Sequence, residues 1–156
     1  MKTHGYRLTP LLLCAMLGAG VLTTSCMTTP APAPAATQSL LDTRWRLTKL
    51  GDEVIENPVG ERAVHFQLQA ANSGLTGFSG CNRMFGGYLL NADELRFDQV
   101  GATKMACLDE PRMKLEQEYF DMLSAVSRWK ISGSLLELQD ASGAKLATFA
   151  AAPPEQ

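Results

Sequence analysis

Histidine is almost absent from this chain, and other components of common active sites are missing with it. The sequence holds only two histidines, His4 and His65, and its four cysteines nowhere show the Cys-x-x-Cys spacing of zinc and thiol redox motifs. No glycine-rich segment ends in the Lys-Ser or Lys-Thr of a phosphate-binding loop. These absences predict no metal site, no cofactor and no catalytic constellation.

An excess of positive charge is also absent. The chain carries 14 basic and 16 acidic residues, a net charge of -2. Lys2 and Arg7 are the only formal charges before Cys26, so a chain that begins at this cysteine has a net charge of -4. Binding of nucleic acid requires a concentrated basic surface. We therefore expect no nucleic-acid partner.

The first 26 residues have the layout of a bacterial secretory signal. Lys2 and Arg7 precede an apolar segment over residues 11–22, and small residues then lead to Cys26. A cysteine at the cleavage point is typical of lipoproteins, in which the thiol receives a diacylglycerol and the cysteine becomes the new N-terminus. We predict a signal peptide over residues 1–25 and lipidation of Cys26.

Two alternatives to the lipoprotein signal stay open. Thr23 stands three residues before Cys26, where an aliphatic residue is more usual, so the first is an ordinary cleaved signal with an incidental cysteine. The second is a membrane-spanning anchor, although the apolar run is shorter than the ~20 residues that a span requires. Met27 follows the cysteine instead of an aspartate. In a bacterium with two membranes this favours a lipid-anchored envelope protein on the periplasmic face of the outer membrane.

The remaining chain divides into a spacer, one domain and a short tail. Residues 26–39 comprise the lipidated cysteine and a linker rich in proline and alanine, a composition that favours extended polyproline conformation. Residues 40–151 have the length of one domain and contain no internal repeat. Residues 152–156 form the tail.

Two cysteines remain once Cys14 leaves with the signal and Cys26 is assigned to the lipid. Outside the cytosol, an isolated pair such as Cys81 and Cys107 predicts a disulfide. Metal binding is a poor rival, because His65 would be the only histidine left to complete a site. A redox-active pair is the other alternative, but it lacks the Cys-x-x-Cys spacing that lowers a thiol pKa in oxidoreductases.

Alternating apolar residues predict short strands on both sides of one helix. Strands are expected over residues 43–50, 63–70, 75–79 and 87–90, around Leu95 and Phe97, and, after the helix, around Trp129 and Ile131, Leu136 and Leu138, and Leu146 and Thr148. In the second of these strands Val64, Phe66 and Leu68 should face the core. Residues 140–143 supply turn chemistry before the last strand.

The segment between the two groups of strands has helical periodicity. Asp109 is a suitable N-cap, and an acid and a proline follow it in the first turn. Leu115, Tyr119 and Met122 recur at helical steps, while Glu116 belongs to the charged remainder, interpreted as a solvated face. An amphipathic helix must bury its apolar stripe against the sheet. The predicted fold class is α+β, a curved, mostly antiparallel and partly closed, barrel-like β-sheet with one amphipathic helix packed on it.

Four segments occur in a recognisable order, namely Gly77-Phe78-Ser79-Gly80-Cys81-Asn82-Arg83, Gly86-Gly87-Tyr88, Thr103-Lys104-Met105-Ala106-Cys107 and a helix containing Glu116 and Phe120. Over nearly all of residues 40–150 the chain resembles the META domain, the HslJ-like family of small bacterial envelope proteins. The resemblance implies a compact β-rich domain with one helix and a disulfide between the two cysteines of these segments. It also implies an association with stress response, motility or secretion, or antibiotic tolerance, without an established enzymatic activity.

The glycine-rich loop has two interpretations. In the structural one, its glycines permit tight turns, and Asn82 and Thr103 hydrogen-bond nearby backbone groups. In the functional one, Asn82, Arg83, Thr103 and Lys104 form a contact loop that binds an anion or a partner's carboxylate. The structural role is favoured, and the contact loop is kept as a hypothesis.

His65 is the single candidate for acid–base catalysis, and its place among polar strand residues favours a solvated sheet face. No nucleophile elbow accompanies it. We expect a non-catalytic envelope protein that acts through contacts with an envelope protein. The alternative is a binder of a lipid or other apolar ligand in a pocket between sheet and helix. A sizeable apolar cavity would favour the ligand binder, and a solid core with an exposed patch would favour the contact protein.

Overall fold

The computed structural model describes residues 37–56 and 62–152. The predictions for the signal, for Cys26 and for most of the linker and tail lie outside these residues. The described chain forms nine strands and one helix, namely β1 (Arg44–Leu50), β2 (Glu53–Val54), β3 (His65–Gln69), β4 (Gly74–Phe78), β5 (Arg83–Asn91), β6 (Glu94–Ala102), α1 (Glu110–Ala125), β7 (Arg128–Ser132), β8 (Leu135–Gln139) and β9 (Lys145–Ala151). Within this part of the chain, α1 is neither long nor apolar enough to cross a membrane.

The strands close into a ring. Neighbours pair antiparallel in the order β1-β3-β4-β5-β6-β7-β8-β9, and β9 pairs back with β1, while the short β2 is paired with the end of β1. The junction between β6 and β7 is the thinnest, with the single pair Glu94 and Arg128. The helix α1 connects these two strands in the chain and packs against β6 and β9. The predicted curved, mostly antiparallel and partly closed sheet with one helix is confirmed.

Apolar side chains fill the interior of the ring, as expected for a barrel of about eight strands. Val64, Phe66 and Leu68 are all buried, so the predicted orientation of β3 is confirmed. The ring of Phe66 packs edge-on against Phe149, with centroids 5.0 Å apart. Trp45 is fully buried, and its indole N–H donates to the carbonyl of Leu40 at 3.0 Å, which ties the start of the domain to the core.

The helix begins at its predicted start. Asp109 is the N-cap, and its side chain accepts from the backbone N–H of Arg112. Tyr119, Met122 and Leu123 are buried and belong to the same core as the barrel interior. The helix therefore contributes to the same apolar core as the sheet. The hydroxyl of Tyr119 is buried there without a hydrogen-bond partner.

The sheet differs from the prediction in two regions, the short strand β2, which was not predicted, and the pair β5 and β6. Strands β5 and β6 are nine residues long, whereas the sequence indicated a strand only over residues 87–90 and around Leu95 and Phe97. Their pairing shifts register between Phe85 and Gly87. A bulge of this kind interrupts the alternation of apolar and polar residues on which the prediction depended.

Candidate functional site: the disulfide loop

The disulfide joins two connections of the fold. Residues 79–82 link β4 to β5, and residues 103–109, which we call the disulfide segment, link β6 to α1. Cys81 and Cys107 are bonded, with their Cα atoms 5.8 Å apart and a sequence separation of 26. The predicted disulfide is therefore present. The 79–82 turn is buried, whereas the disulfide segment is exposed except at Cys107.

Two glycines permit this arrangement of the backbone. Gly80 has φ +116°, a conformation that residues with a Cβ rarely adopt. Gly77, in β4, lies so close to β3 that a Cβ atom would stand 2.2 Å from the carbonyl oxygen of His65. Substitution at Gly77 would push β3 and β4 apart just before the turn. These two positions support the structural interpretation of the glycine-rich motif.

The side chain of Asn82 connects the turn, the disulfide segment and the helix. Its Oδ1 accepts from the Thr103 hydroxyl at 3.0 Å and from the Met105 backbone N–H at 2.8 Å. Its Nδ2 donates to Oε1 of Glu116 at 2.9 Å. The Thr103 hydroxyl oxygen also accepts from the backbone N–H of Arg83 at 3.2 Å. Asn82 and Thr103 thus hold the disulfide segment against the turn.

The carboxylate of Glu116 gathers the donors of the turn from the helix side. Its Oε2 accepts from the backbone N–H of Asn82 at 3.0 Å, from that of Cys81 at 3.3 Å, and from the Ser79 hydroxyl. Ser79 is fully buried and Asn82 nearly so, which makes these bonds costly to lose. The interpretation of Glu116 as part of a solvated helix face is wrong. Its helical position looks exposed in sequence, and only the packing of the turn against α1 covers it.

The predicted contact loop is divided by this network. Asn82 is buried, whereas Thr103, Arg83 and Lys104 are exposed, although the Thr103 hydroxyl is bonded to Asn82. The disulfide segment also exposes apolar side chains that the sequence analysis did not select. Leu108 is 97% exposed and Met105 67%, and Met113 in the first turn of α1 is exposed as well. A contact function for the loop stays a prediction, and the accessible part of it is cationic and apolar.

His65 lies half-buried on the outer face of β3. Its Nδ1 is 2.7 Å from the carbonyl oxygen of Ala63, to which it donates, and 3.4 Å from Nη2 of Arg44. Because Nδ1 donates to Ala63, it cannot also accept from Arg44, so the Ala63 contact is the one that orients the ring. Across residues 37–56 and 62–152, no three His, Cys, Asp or Glu side chains converge closely enough to hold a metal ion.

A groove of about 600 Å³ runs between β2 and the first turns of α1. Its apolar lining comes from Val54, Ile55, Pro111 and Leu115. Charged side chains surround this lining, and two pairs of them are bridged, Arg112 with Asp109 and Lys114 with Glu118, each at 3.3 Å. This groove is the feature of the described residues that corresponds to the predicted pocket between sheet and helix.

Comparison with known proteins gives a consistent family and fold. The META domain family model matches residues 38–153. An NMR structure of a protein from Burkholderia xenovorans is 31% identical, with a TM-score of 0.59 over 80% of this chain and 93% of its own. A second NMR structure is 19% identical, with a TM-score of 0.55 over 70% of this chain and 88% of its own. The crystal structure of a duf4847 family protein from Bacteroides vulgatus is 11% identical, with a TM-score of 0.53 over 74% of this chain and 96% of its own. These last two show the fold alone, and a comparison with curated proteins gave no match.

Proposed function

The chain belongs to the META domain family, and we propose that it is a non-catalytic, lipid-anchored envelope protein that works by contacting another protein. Cys26 supplies the anchor, and the Pro/Ala-rich linker is the spacer between the lipid and the domain. We assign the contact to the stress response, antibiotic tolerance, secretion or motility with which the family is associated. The periplasmic face of the outer membrane is the proposed location.

One observation supports the contact function, namely that apolar side chains are exposed on a pinned segment. Leu108 and Met105 project into solvent although their backbone is held by the disulfide and by the hydrogen bond from Met105 to Asn82. When exposed apolar side chains form a patch, the patch marks an interaction site. A segment that is already ordered loses little conformational entropy when a partner binds. We therefore place the partner's apolar surface over Met105, Leu108 and Met113, with Lys104 at its edge.

The contact is tested by site-specific photo-crosslinking in the living host. A photoreactive residue at position 108 should give a defined crosslinked product, and Leu108→Ser should weaken co-purification of that partner and the associated stress phenotype. Leu89→Ser is the matched control, because Leu89 is an exposed leucine at 65% on β5, away from the disulfide segment. Both variants should fold normally, since surface substitutions usually change stability by less than about 0.5 kcal/mol. Equal loss of function in the two variants would refute the assignment.

The anchor is tested separately. Labelled palmitate should enter the protein, and Cys26→Ser should abolish that labelling and release the protein from membranes or block its processing. A single acyl chain binds a bilayer only marginally, whereas the two or three chains of a bacterial lipoprotein hold firmly. Recovery of the wild-type chain as a soluble, unmodified protein would overturn the anchor without bearing on the contact surface.

The groove between β2 and α1 supports a second candidate function, the binding of a lipid or other apolar ligand. Its volume of about 600 Å³ and its lining by Val54 and Ile55 suit such a ligand. Native mass spectrometry of protein extracted from the envelope should then show a retained mass. Val54→Asp should remove that mass, while Leu135→Asp, at an exposed leucine outside the groove lining, should not. A bare protein in gentle extraction would exclude this alternative.

A further inference from the structure

The methionines of the domain divide into two classes by their exposure. Met84 and Met122 are only 2% and 6% exposed, and both belong to the apolar core. Met105 in the disulfide segment is 67% exposed, and Met113 in the first turn of α1 is 46% exposed. These are all the methionines in the part of the chain that the structure describes. The same domain therefore presents two thioethers to solvent and keeps two away from it.

Exposure decides which of these thioethers can react with an oxidant. Two-electron oxidants such as hypochlorous acid convert methionine to its sulfoxide, and the oxidant must reach the sulfur to do so. The sulfur forms a bond to the oxygen of hypochlorous acid, the O–Cl bond breaks, and chloride and a proton leave. Met105 and Met113 are open to this attack, whereas close packing in the core protects Met84 and Met122.

Oxidation of Met105 leaves the fold undisturbed. The backbone N–H of Met105 donates to Oδ1 of Asn82 at 2.8 Å, and the disulfide at Cys107 fixes the same segment. Neither restraint involves the thioether of Met105. The added oxygen stays in water, so no polar group is buried in the free protein. The surface therefore becomes more polar while its backbone keeps its position.

We propose that Met105 and Met113 are oxidation sites at which conversion to the sulfoxide releases the partner protein. This inference rests on the proposed protein contact, in which both side chains meet the partner's apolar surface. A sulfoxide oxygen is polar, and an apolar surface that covers it removes its water without supplying a hydrogen-bond donor. Binding should therefore weaken about tenfold or more, a change that corresponds to about 1.4 kcal/mol or more.

The modification can be reversed by a thiol-dependent reduction. A methionine sulfoxide reductase restores the thioether, the oxygen leaves as water, and two thiols supply the electrons and become a disulfide. Cys81 and Cys107 are already bonded to each other, so these two cysteines cannot supply the electrons. The reductant therefore comes from outside the domain.

Peptide mapping by mass spectrometry tests the sites of modification. The full chain, purified from the envelope, is treated with hypochlorous acid in its folded state. Met105 and Met113 should each gain an oxygen, while the two core methionines should react only after the domain is unfolded in urea. The unfolding midpoint of the modified protein should equal that of the untreated protein. Equal oxidation of core and exposed methionines in the folded protein, or a lowered midpoint, overturns the assignment.

The photo-crosslink from position 108 tests the release of the partner. In living cells its yield should fall about tenfold after brief exposure to hypochlorous acid, and it should recover once the oxidant is removed. In the double variant Met105→Leu/Met113→Leu, the ratio of treated to untreated yield should not fall, because leucine is apolar, similar in volume and not oxidised in this way. Met122→Leu is the matched control, since it replaces a buried methionine and should respond to the oxidant as the wild type does.

The outcomes separate this inference from the proposed contact on which it rests. Absence of a crosslinked product in untreated cells refutes the contact and, with it, the control by oxidation. An undiminished product in cells whose Met105 and Met113 carry sulfoxides leaves the contact standing and refutes the control. An equal fall in the double variant also refutes the control, because the oxidant then acts at another site.

Discussion

Replacement of Glu116 by glutamine is the sharpest probe of the network behind the disulfide loop. The Glu116 carboxylate receives hydrogen bonds from the Asn82 side chain, from the backbone N–H groups of Cys81 and Asn82, and from the Ser79 hydroxyl. Glutamine has the same shape but only one accepting oxygen. Its amide group must therefore face a donor, whichever way the side chain is turned.

The size of the effect follows from the contacts. The shortest backbone and amide bonds are those from Asn82, at 3.0 Å from its backbone nitrogen and 2.9 Å from Nδ2, and they reach opposite oxygens of Glu116. A hydrogen bond to a charged group contributes about 1.5–3 kcal/mol. Glutamine at position 116 loses at least one of these two hydrogen bonds and places its own amide N–H group against a donor of Asn82. Ser79 keeps an acceptor in the Asn82 carbonyl at 2.9 Å, which limits the damage. We expect Glu116→Gln to lower the free energy of unfolding by about 2–4 kcal/mol.

Urea unfolding of the oxidised protein at pH 7 measures this loss. The midpoint should fall by roughly 1–2 M, given the slopes typical of small domains. Glu118→Gln is the control on the same helix, because Glu118 pairs with the exposed Lys114 at 3.3 Å, a type of ion pair that contributes about 0.5 kcal/mol or less. A loss in Glu116→Gln no larger than that in Glu118→Gln would refute the network as a source of stability.

Three further predictions concern single features of the domain. Cys81→Ser and Cys107→Ser should each lower the free energy of unfolding by about 3.5 kcal/mol, the value for a sequence separation of 26. The double variant should lose no more than either single variant, because the same bond is lost in all three, and chemical denaturation measures the losses. Additive losses would contradict this prediction. The side chain and backbone of Ser142 and the backbone N–H of Ala144 hold the pKa of Asp140 below its ordinary value of 3.8. The stability that the Asp140 carboxylate contributes is therefore present above its unfolded-state pKa and is lost as the pH falls through its lower folded-state pKa. The thermal midpoints of Asp140→Ala and of the wild type should differ at pH 7 and converge in acid. A difference that stays constant with pH would contradict this prediction. Burial raises the pKa of Tyr119 far above its ordinary value, and its buried hydroxyl has no hydrogen-bond partner. Tyr119→Phe should therefore leave the free energy of unfolding unchanged or raise it by up to about 1 kcal/mol, as chemical denaturation will show. A decrease in the free energy of unfolding of more than about 1 kcal/mol would contradict this prediction.

Much of the fold was predictable from local pattern. Alternation identified the inward side of β3, and the N-cap at Asp109 identified the start of the helix, because each signal depends on residues close together in sequence. The cysteine count predicted the disulfide for a related reason, since only two thiols remain once the signal is set aside. The length of β5 was missed where a bulge broke the alternation.

The candidate sites were less predictable. Glu116 was interpreted as solvated because a charged residue on a helix is usually exposed. No residue near it in sequence indicates that its carboxylate accepts hydrogen bonds from the 79–82 turn. Leu108 was passed over because one apolar residue in a connection has no periodicity to mark it. Each feature depends on a segment more than 20 residues away in the chain.

By itself, the amino-acid sequence determined the α+β class, the start of the helix and the pairing of Cys81 with Cys107. Amino-acid composition, the spacing of apolar residues and helix capping are properties of residues close together in sequence, so they do not depend on the tertiary fold. Only the tertiary structure decided that the sheet closes through β9 and β1, that Glu116 is bound to the turn, and that Arg44, His65 and Arg83 share one face. The register between strands makes the difference, because a shift of one residue would direct those cationic side chains into the core instead of toward solvent.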